Sequence, residues 1–246
     1  MDHLFCKNVP ERLVSALRLA VKARPGLYDA YLRCVGRRAD ACFPSSATDL
    51  HLTGYPRSGN TFSANLTAAL FPDLKVATHI HAISSLKLAL KHEVATIVLI
   101  RDPSEAVPSA VIKRGGNGER TATVSALREY IWYYRYVEKN MQSLRVLDFR
   151  KLVADWSILV AAICDAVGNA PMPADVVETA VEEVTQRLKS DSRPAAQNTW
   201  HSEEKEALKD QVRERLYTLA EFGRAKALYD SLTCPQTAQC NTGSSQ

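Results

Sequence analysis

Leu50-His51-Leu52-Thr53-Gly54-Tyr55-Pro56-Arg57-Ser58-Gly59-Asn60-Thr61-Phe62-Ser63-Ala64-Asn65-Leu66 is the stretch that decides the fold. The apolar run before Gly54 reads as a strand, and the residues after Gly59 open a helix. A phosphate-binding loop is written G-x-x-x-x-G-K-[ST]. Here Gly54, Gly59 and Thr61 hold their places, while Asn60 stands where the lysine belongs. Backbone N–H groups at the helix start can still cradle an anion, because helix N-termini carry unsatisfied donors and partial positive charge. The lysine that grips the β- and γ-phosphates of a nucleoside triphosphate is missing, and a cation sits earlier, at Arg57. The loop therefore points to a phosphate-bearing donor other than ordinary ATP or GTP. Taken alone, it also reads as a Gly-rich turn that binds nothing.

Working outward, the sequence alternates strands with helices. Val94–Ile100 is a continuous β-branched run of the kind buried in parallel sheets. It ends at Arg101-Asp102-Pro103, and a helix is expected over 104–113. A short strand near 75–78 precedes His79, and Leu144–Asp148 forms another before Phe149. A long helix covers about 121–141, between the Gly-rich stretch Arg114–Gly118, expected to be a mobile loop, and that last strand. The fold class is α/β: a P-loop-like parallel sheet flanked by helices on both faces, with helical N- and C-terminal additions. One domain over 1–246 is expected, with a helical lead-in to 48, an α/β body over 49–232 and a polar tail from 233. Ligands of such sheets sit at the carboxyl ends of the strands. That rule gathers Gly54, His79, Arg101 and Phe149 along one edge.

Composition narrows the function classes. The 246 residues carry a net charge of +4 without a Lys/Arg-rich block, which suits a polyanionic small ligand better than nucleic acid. No apolar stretch approaches the roughly 18 residues of a membrane span. Charged residues break up any signal-like run at the N-terminus, so a cytoplasmic location is expected. Residues 11–23 read as a basic amphipathic helix. The six cysteines include no C-x-x-C pair, so neither zinc nor a dithiol site is indicated; Cys234 and Cys240 are close enough for an incidental bridge. The aromatic run Tyr130–Tyr136 reads as core packing at helical spacing, or as a wall facing a ring-bearing acceptor.

Arg101 follows the most hydrophobic strand and Ser109 lies eight residues later, so an arginine folded back over the helix start would share one phosphate with the serine. Arginine suits the task through its planar, bidentate fork. With the first loop, these residues resemble the sulfotransferase family, whose donor is 3′-phosphoadenosine 5′-phosphosulfate (PAPS). The family loop P-K-S-G-T-T-W is answered by Pro56-Arg57-Ser58-Gly59-Asn60-Thr61-Phe62. Its 3′-phosphate motif, a strand ending in Arg with Ser eight positions on, is answered by Arg101 and Ser109. Its catalytic histidine lies 22 residues before that arginine, which falls on His79 in Ala77-Thr78-His79. The Y-E-D-L segment is echoed by Phe149-Arg150-Lys151-Leu152, and the closing loop R-K-G-x-x-G-D-W only by Arg193 and Trp200.

The resemblance implies sulfuryl transfer from PAPS to a hydroxyl or amine of a small-molecule acceptor, releasing 3′-phosphoadenosine 5′-phosphate (PAP), with no metal. His79 takes the acceptor proton. Arg57 and the amides of Ser58, Gly59, Asn60 and Thr61 stabilise the departing 5′-phosphate. Arg101, Ser109 and Arg193 hold the 3′-phosphate, and Phe62 and Phe149 flank the adenine. His81 is the alternative base. Two other readings stay open: a P-loop small-molecule kinase, with Asp102 as its magnesium-binding acid, and a non-catalytic nucleotide-binding protein. Oligomeric state and acceptor are not legible.

Overall fold

The structure, a computed structural model, describes residues 11–35, 43–116, 119–190 and 203–234. Four strands form one parallel sheet: β1 (Leu50–Gly54), β2 (Val76–Ala77), β3 (Ala95–Ile100) and β4 (Arg145–Asp148), in the spatial order β2-β1-β3-β4. Register pairs Leu50 with Ala95 and Gly54 with Leu99, and Ile100 with Asp148. The chain leaves β1 toward one edge, then crosses back past it to β3. The reversal puts the crevice at the carboxyl ends of β1 and β3.

The alternation of β3 explains why helices cover both faces. Ile97 and Leu99 turn toward α3 (Asn60–Leu70), α8 (Ser157–Val167) and α9 (Ala174–Lys189). Val98 and Ile100 turn the other way, onto α4 (Ile83–Lys91), α5 (Pro103–Lys113), α6 (Arg120–Lys139), α10 (Glu203–Tyr217) and α11 (Ala220–Thr233). With side chains buried on either side, a strand must be apolar throughout, and each buried Leu or Ile contributes roughly 1.5–3 kcal/mol. The short α7 (Phe149–Ala154) follows β4 directly, and the lead-in consists of α1 (Glu11–Lys22) and α2 (Pro25–Cys34). Among the described residues no helix is long and apolar enough to cross a membrane.

The parallel α/β architecture is as expected, and three local features differ from the reading of the sequence. Helix α4 was not legible as an element, although Ile83, Leu86 and Ala89 are buried at three-residue spacing. Residues 114–116 form a helix cap: Gly115 is left-handed (φ 77°), and the N–H groups of Gly115 and Gly116 donate to Ile112 and Val111 carbonyls. Those two bonds are a Schellman motif, which glycine permits at no steric cost. Residues 117 and 118 lie outside the described residues. Helix α11 runs through Thr233, the first residue of the expected tail, and Cys240 also lies outside the described residues.

The aromatic run of α6 is core. Tyr130, Tyr133 and Tyr134 are fully buried, and their hydroxyls brace the strand ends. Tyr134 Oη donates to the Leu99 carbonyl (2.7 Å) and accepts from the Tyr55 N–H (3.2 Å), while Tyr130 Oη donates to the Arg101 carbonyl (2.8 Å). Burial pushes all three phenols above their ordinary range, so they remain donors. Helix α6 thereby fixes the ends of β1 and β3 from beneath.

Candidate active site

The loop between β1 and α3 is held open by its carbonyls. His81 Nδ1 lies 2.9 Å from the Gly54 oxygen, Asn60 Nδ2 donates to Tyr55 O (3.0 Å), and Arg101 Nη1 donates to Arg57 O (3.1 Å). With the acceptors tied by side chains, the donors at the start of α3 are left for a ligand. Gly59 is the residue before the helix; no side chain caps it. The first N–H groups of any helix lack intrahelical partners and favour an anion. Asn60 therefore turns its side chain back into the loop and cannot replace the missing lysine, though its backbone stays at the helix start. Asn60 Oδ1 and Ser63 Oγ are buried with no hydrogen-bond partner among the described residues; the hydroxyl can donate to an anion, whereas the amide oxygen only accepts and would take a donor such as water.

Gly59 has φ 90°, and a Cβ there would fall 2.5 Å from the Phe149 ring. The ring of Phe149 thus seals the loop from the β4 side, and the Arg101 guanidinium also lies over that ring, 4.8 Å from the centroid.

Arg57 links the phosphate loop to both parts of the second motif. Its Nε donates to Ser109 Oγ (2.8 Å), 52 positions on, and its carbonyl receives Arg101, 44 positions on. Among the described residues its Nη groups have no partner. Burial lowers the Arg57 pKa, and the neighbouring Arg101 charge lowers it further. Burial also lowers that of Arg101, opposed by Glu105 at 3.2 Å. Two partly desolvated guanidiniums side by side disfavour each other's charge, and an anion between them relieves both.

Backbone strain marks the same place. Among the described residues, three non-glycine residues have left-handed backbone: Arg57 (φ 73°), His79 (φ 64°) and Glu93 (φ 54°). Glu93 follows the end of α4, where the Val94 N–H reaches back to Ala89 O, so its geometry is ordinary helix termination. Arg57 is the third residue of a turn closed by the Ser58 N–H on the Tyr55 carbonyl (3.2 Å), with Pro56 before it, a place that glycine or asparagine usually takes when φ is positive. His79 stands between β2 and Ile80, away from any helix end. Conformations of this kind cost of order 1–3 kcal/mol and cluster at functional sites. His79 is exposed just after β2, whereas His81 is partly buried, its ring enclosed. Burial holds the His81 pKa down at about 4 despite its bond to Gly54, and His79 and Lys22 add to the lowering while Glu129 opposes it. His81 is therefore neutral near pH 7.

Several contacts around the site were not legible in the sequence. Trp156 stacks on Phe62, with centroids 4.1 Å apart and planes within 26°. Asp102 caps α5 by accepting from Ser104 N (2.9 Å) and Ser104 Oγ (2.7 Å), and pairs with Lys226 (3.0 Å). Burial alone would raise its carboxyl pKa; the serine and lysine contacts hold it below the ordinary range. Pro108 inside α5 has no N–H to offer the Ser104 carbonyl, and Arg213 Nε of α10 takes that place at 3.3 Å. Arg213 also reaches Glu105 (2.8 Å), tying α10 to the carboxylate beside Arg101. The sequence signal for Trp156 was a lone aromatic after the Phe149 segment, and nothing in spacing paired it with Phe62. Arg193 and Trp200 lie outside the described residues.

No family model matches the sequence, and no curated protein matches it. Among solved structures, the crystal structure of mouse sulfotransferase SULT7A1 complexed with PAP overlaps 77% of this chain and 91% of that chain, at a TM-score of 0.44 and 11% identity.

Proposed function

We propose that this protein is a PAPS-dependent sulfotransferase, moving a sulfuryl group to a hydroxyl or amine of a small-molecule acceptor. The observation that carries the reading is the convergence on Arg57 of Arg101 and Ser109, residues remote in sequence that the 3′-phosphate motif requires together. The donor's two anionic ends have matching partners: loop amides and Arg57 for the 5′-phosphosulfate, and Arg101 with Ser109 for the 3′-phosphate. The Phe62–Trp156 stack, with Phe149 beside Gly59, supplies flat apolar surface for adenine. The amides at the start of α3, with the Phe149 ring packed against Gly59 behind them, fit a phosphosulfate approached by backbone.

Sulfuryl transfer needs an in-line nucleophile and neutralisation of charge on the leaving group. His79, exposed at the strand edge next to the loop, takes the acceptor proton. Arg57 and the loop N–H groups stabilise the departing 5′-phosphate. On this reading Arg193 is a second 3′-phosphate ligand, and the protein acts in the cytoplasm. The kinase reading is disfavoured by Asp102, whose carboxylate is used by Ser104 and Lys226, and by the inward turn of Asn60. Calorimetry with PAP and with Mg-ATP separates these two readings. An acceptor screen with labelled PAPS separates an enzyme from a silent binder: binding of PAP without transfer to any acceptor leaves only the binder.

A further inference from the structure

We infer that His81 is a positioning residue of this site: its bond to the Gly54 carbonyl holds the left-handed His79 turn against the phosphate loop. The inference rests on the sulfuryl-transfer reading for its consequence in turnover, and on geometry for the clamp itself. A carbonyl oxygen only accepts, so at 2.9 Å the Nδ1 of His81 carries the proton and donates it to Gly54. Gly54 is the last residue of β1 and the first of the phosphate loop, so this bond joins the two halves of the transfer site directly.

A second bond falls one residue earlier on each side. Thr53 Oγ1 donates to the Ile80 carbonyl (3.1 Å), and Ser85 Oγ of α4 donates to the same oxygen (3.1 Å). Residues 80 and 81 are thus fastened to residues 53 and 54 of β1, immediately after His79. A non-glycine residue keeps left-handed backbone only where its surroundings over-determine it. The two fastenings on β1 are that determinant. His81 is suited to its part because burial keeps the imidazole neutral, so the donating tautomer persists across the working range. Proton acceptance itself belongs to His79, which is exposed; His81 acts through it.

Asparagine and glutamine separate the two nitrogens. An asparagine in place of His81 would put its amide nitrogen near the position of Nδ1, and a glutamine would put its own near Nε2. We expect His81→Ala to lower kcat about tenfold or more while PAP affinity stays within about twofold. His81→Asn should restore most of that loss, and His81→Gln should not. An unimpaired kcat in His81→Ala, or rescue by glutamine in place of asparagine, overturns the inference, the second result making Nε2 the reacting atom. Should His81→Ala fail to fold, the asparagine–glutamine pair decides. Imidazole ¹⁵N NMR on the free protein adds a readout that needs no turnover: the Nδ1–H tautomer is expected, and an Nε2–H tautomer overturns the clamp. If the wild-type protein neither binds PAP nor transfers sulfate, the functional reading falls, while the tautomer measurement still judges the clamp.

Discussion

Arg57 Nε and Ser109 Oγ are joined by a 2.8 Å hydrogen bond that ties the phosphate loop after β1 to the middle of α5 after β3. The two halves of the proposed donor site therefore share one side chain. Whatever moves Arg57 on ligand binding also reaches the serine of the second motif, and Arg101 holds the same residue by its carbonyl.

PAP should bind at micromolar or tighter affinity, and adenosine 5′-phosphate at least about tenfold more weakly. Losing one charge-assisted phosphate contact costs about 1.5–3 kcal/mol, and about 1.4 kcal/mol is a factor of ten. Arg101→Ala should erase the preference, since it removes the guanidinium between Phe149, Glu105 and the loop. Titration calorimetry reads both; equal affinities for the two nucleotides in the wild-type protein would remove the basis for a 3′-phosphate site.

His79→Ala should lower turnover by about 10²–10⁴, the usual contribution of a positioned base, with donor affinity little changed. Single-turnover rates with labelled PAPS make the measurement independent of product release. Full activity on the true acceptor in this variant would assign the proton to a carboxylate.

Gly59→Ala should destabilise the loop and weaken PAP binding together. The new Cβ meets the Phe149 ring at 2.5 Å, and φ 90° is a backbone an L side chain resists, a penalty of order 1–3 kcal/mol. Gly59→Ala combined with Phe149→Ala should relieve the clash and leave the backbone cost. A single variant with wild-type melting temperature and affinity would show that the loop conformation is soft.

Glu129 offers a test of stability against pH. Its carboxylate, almost wholly buried in α6, accepts from Lys22 of α1 and from Arg114 (2.8 Å) at the end of α5. Burial alone would raise its pKa. The lysine and arginine charges more than offset that, and bring it from 4.5 to about 2. A folded pKa below the unfolded one means stability that is present above pH 4.5 and lost as pH falls toward about 2. Glu129→Gln should cost about 2 kcal/mol at neutral pH, below the fully buried value because both partners are partly exposed, and should flatten the acid limb. Urea midpoints at several pH values check this; parallel curves for the two proteins would show that the triad carries no linked stability.

The sequence by itself determined the parallel α/β body, because doubly buried strands must be apolar throughout and Val94–Ile100 is so without interruption. It also picked out the candidate anion loop by Gly54, where a Cβ would fall 2.4 Å from the Leu99 carbonyl, and Gly59, whose backbone is left-handed, and it chose Arg57, Arg101, Ser109 and Phe149 as candidates by order and spacing. Tertiary structure alone decided how they meet. That Arg57 bonds Ser109, that Phe149 fills the space a side chain at Gly59 would need, and that Trp156 stacks on Phe62 all depend on which strands are neighbours, a relation no local pattern encodes. The two histidines divide in the same way. Their spacing is plain in the sequence, but the distinction between an exposed, strained His79 and an enclosed His81 bonded to Gly54 comes from packing β2 beside β1. Desolvation and partner geometry are properties of the assembled neighbourhood, so a residue's identity fixes what chemistry it has, and the fold fixes which part of that chemistry it can use.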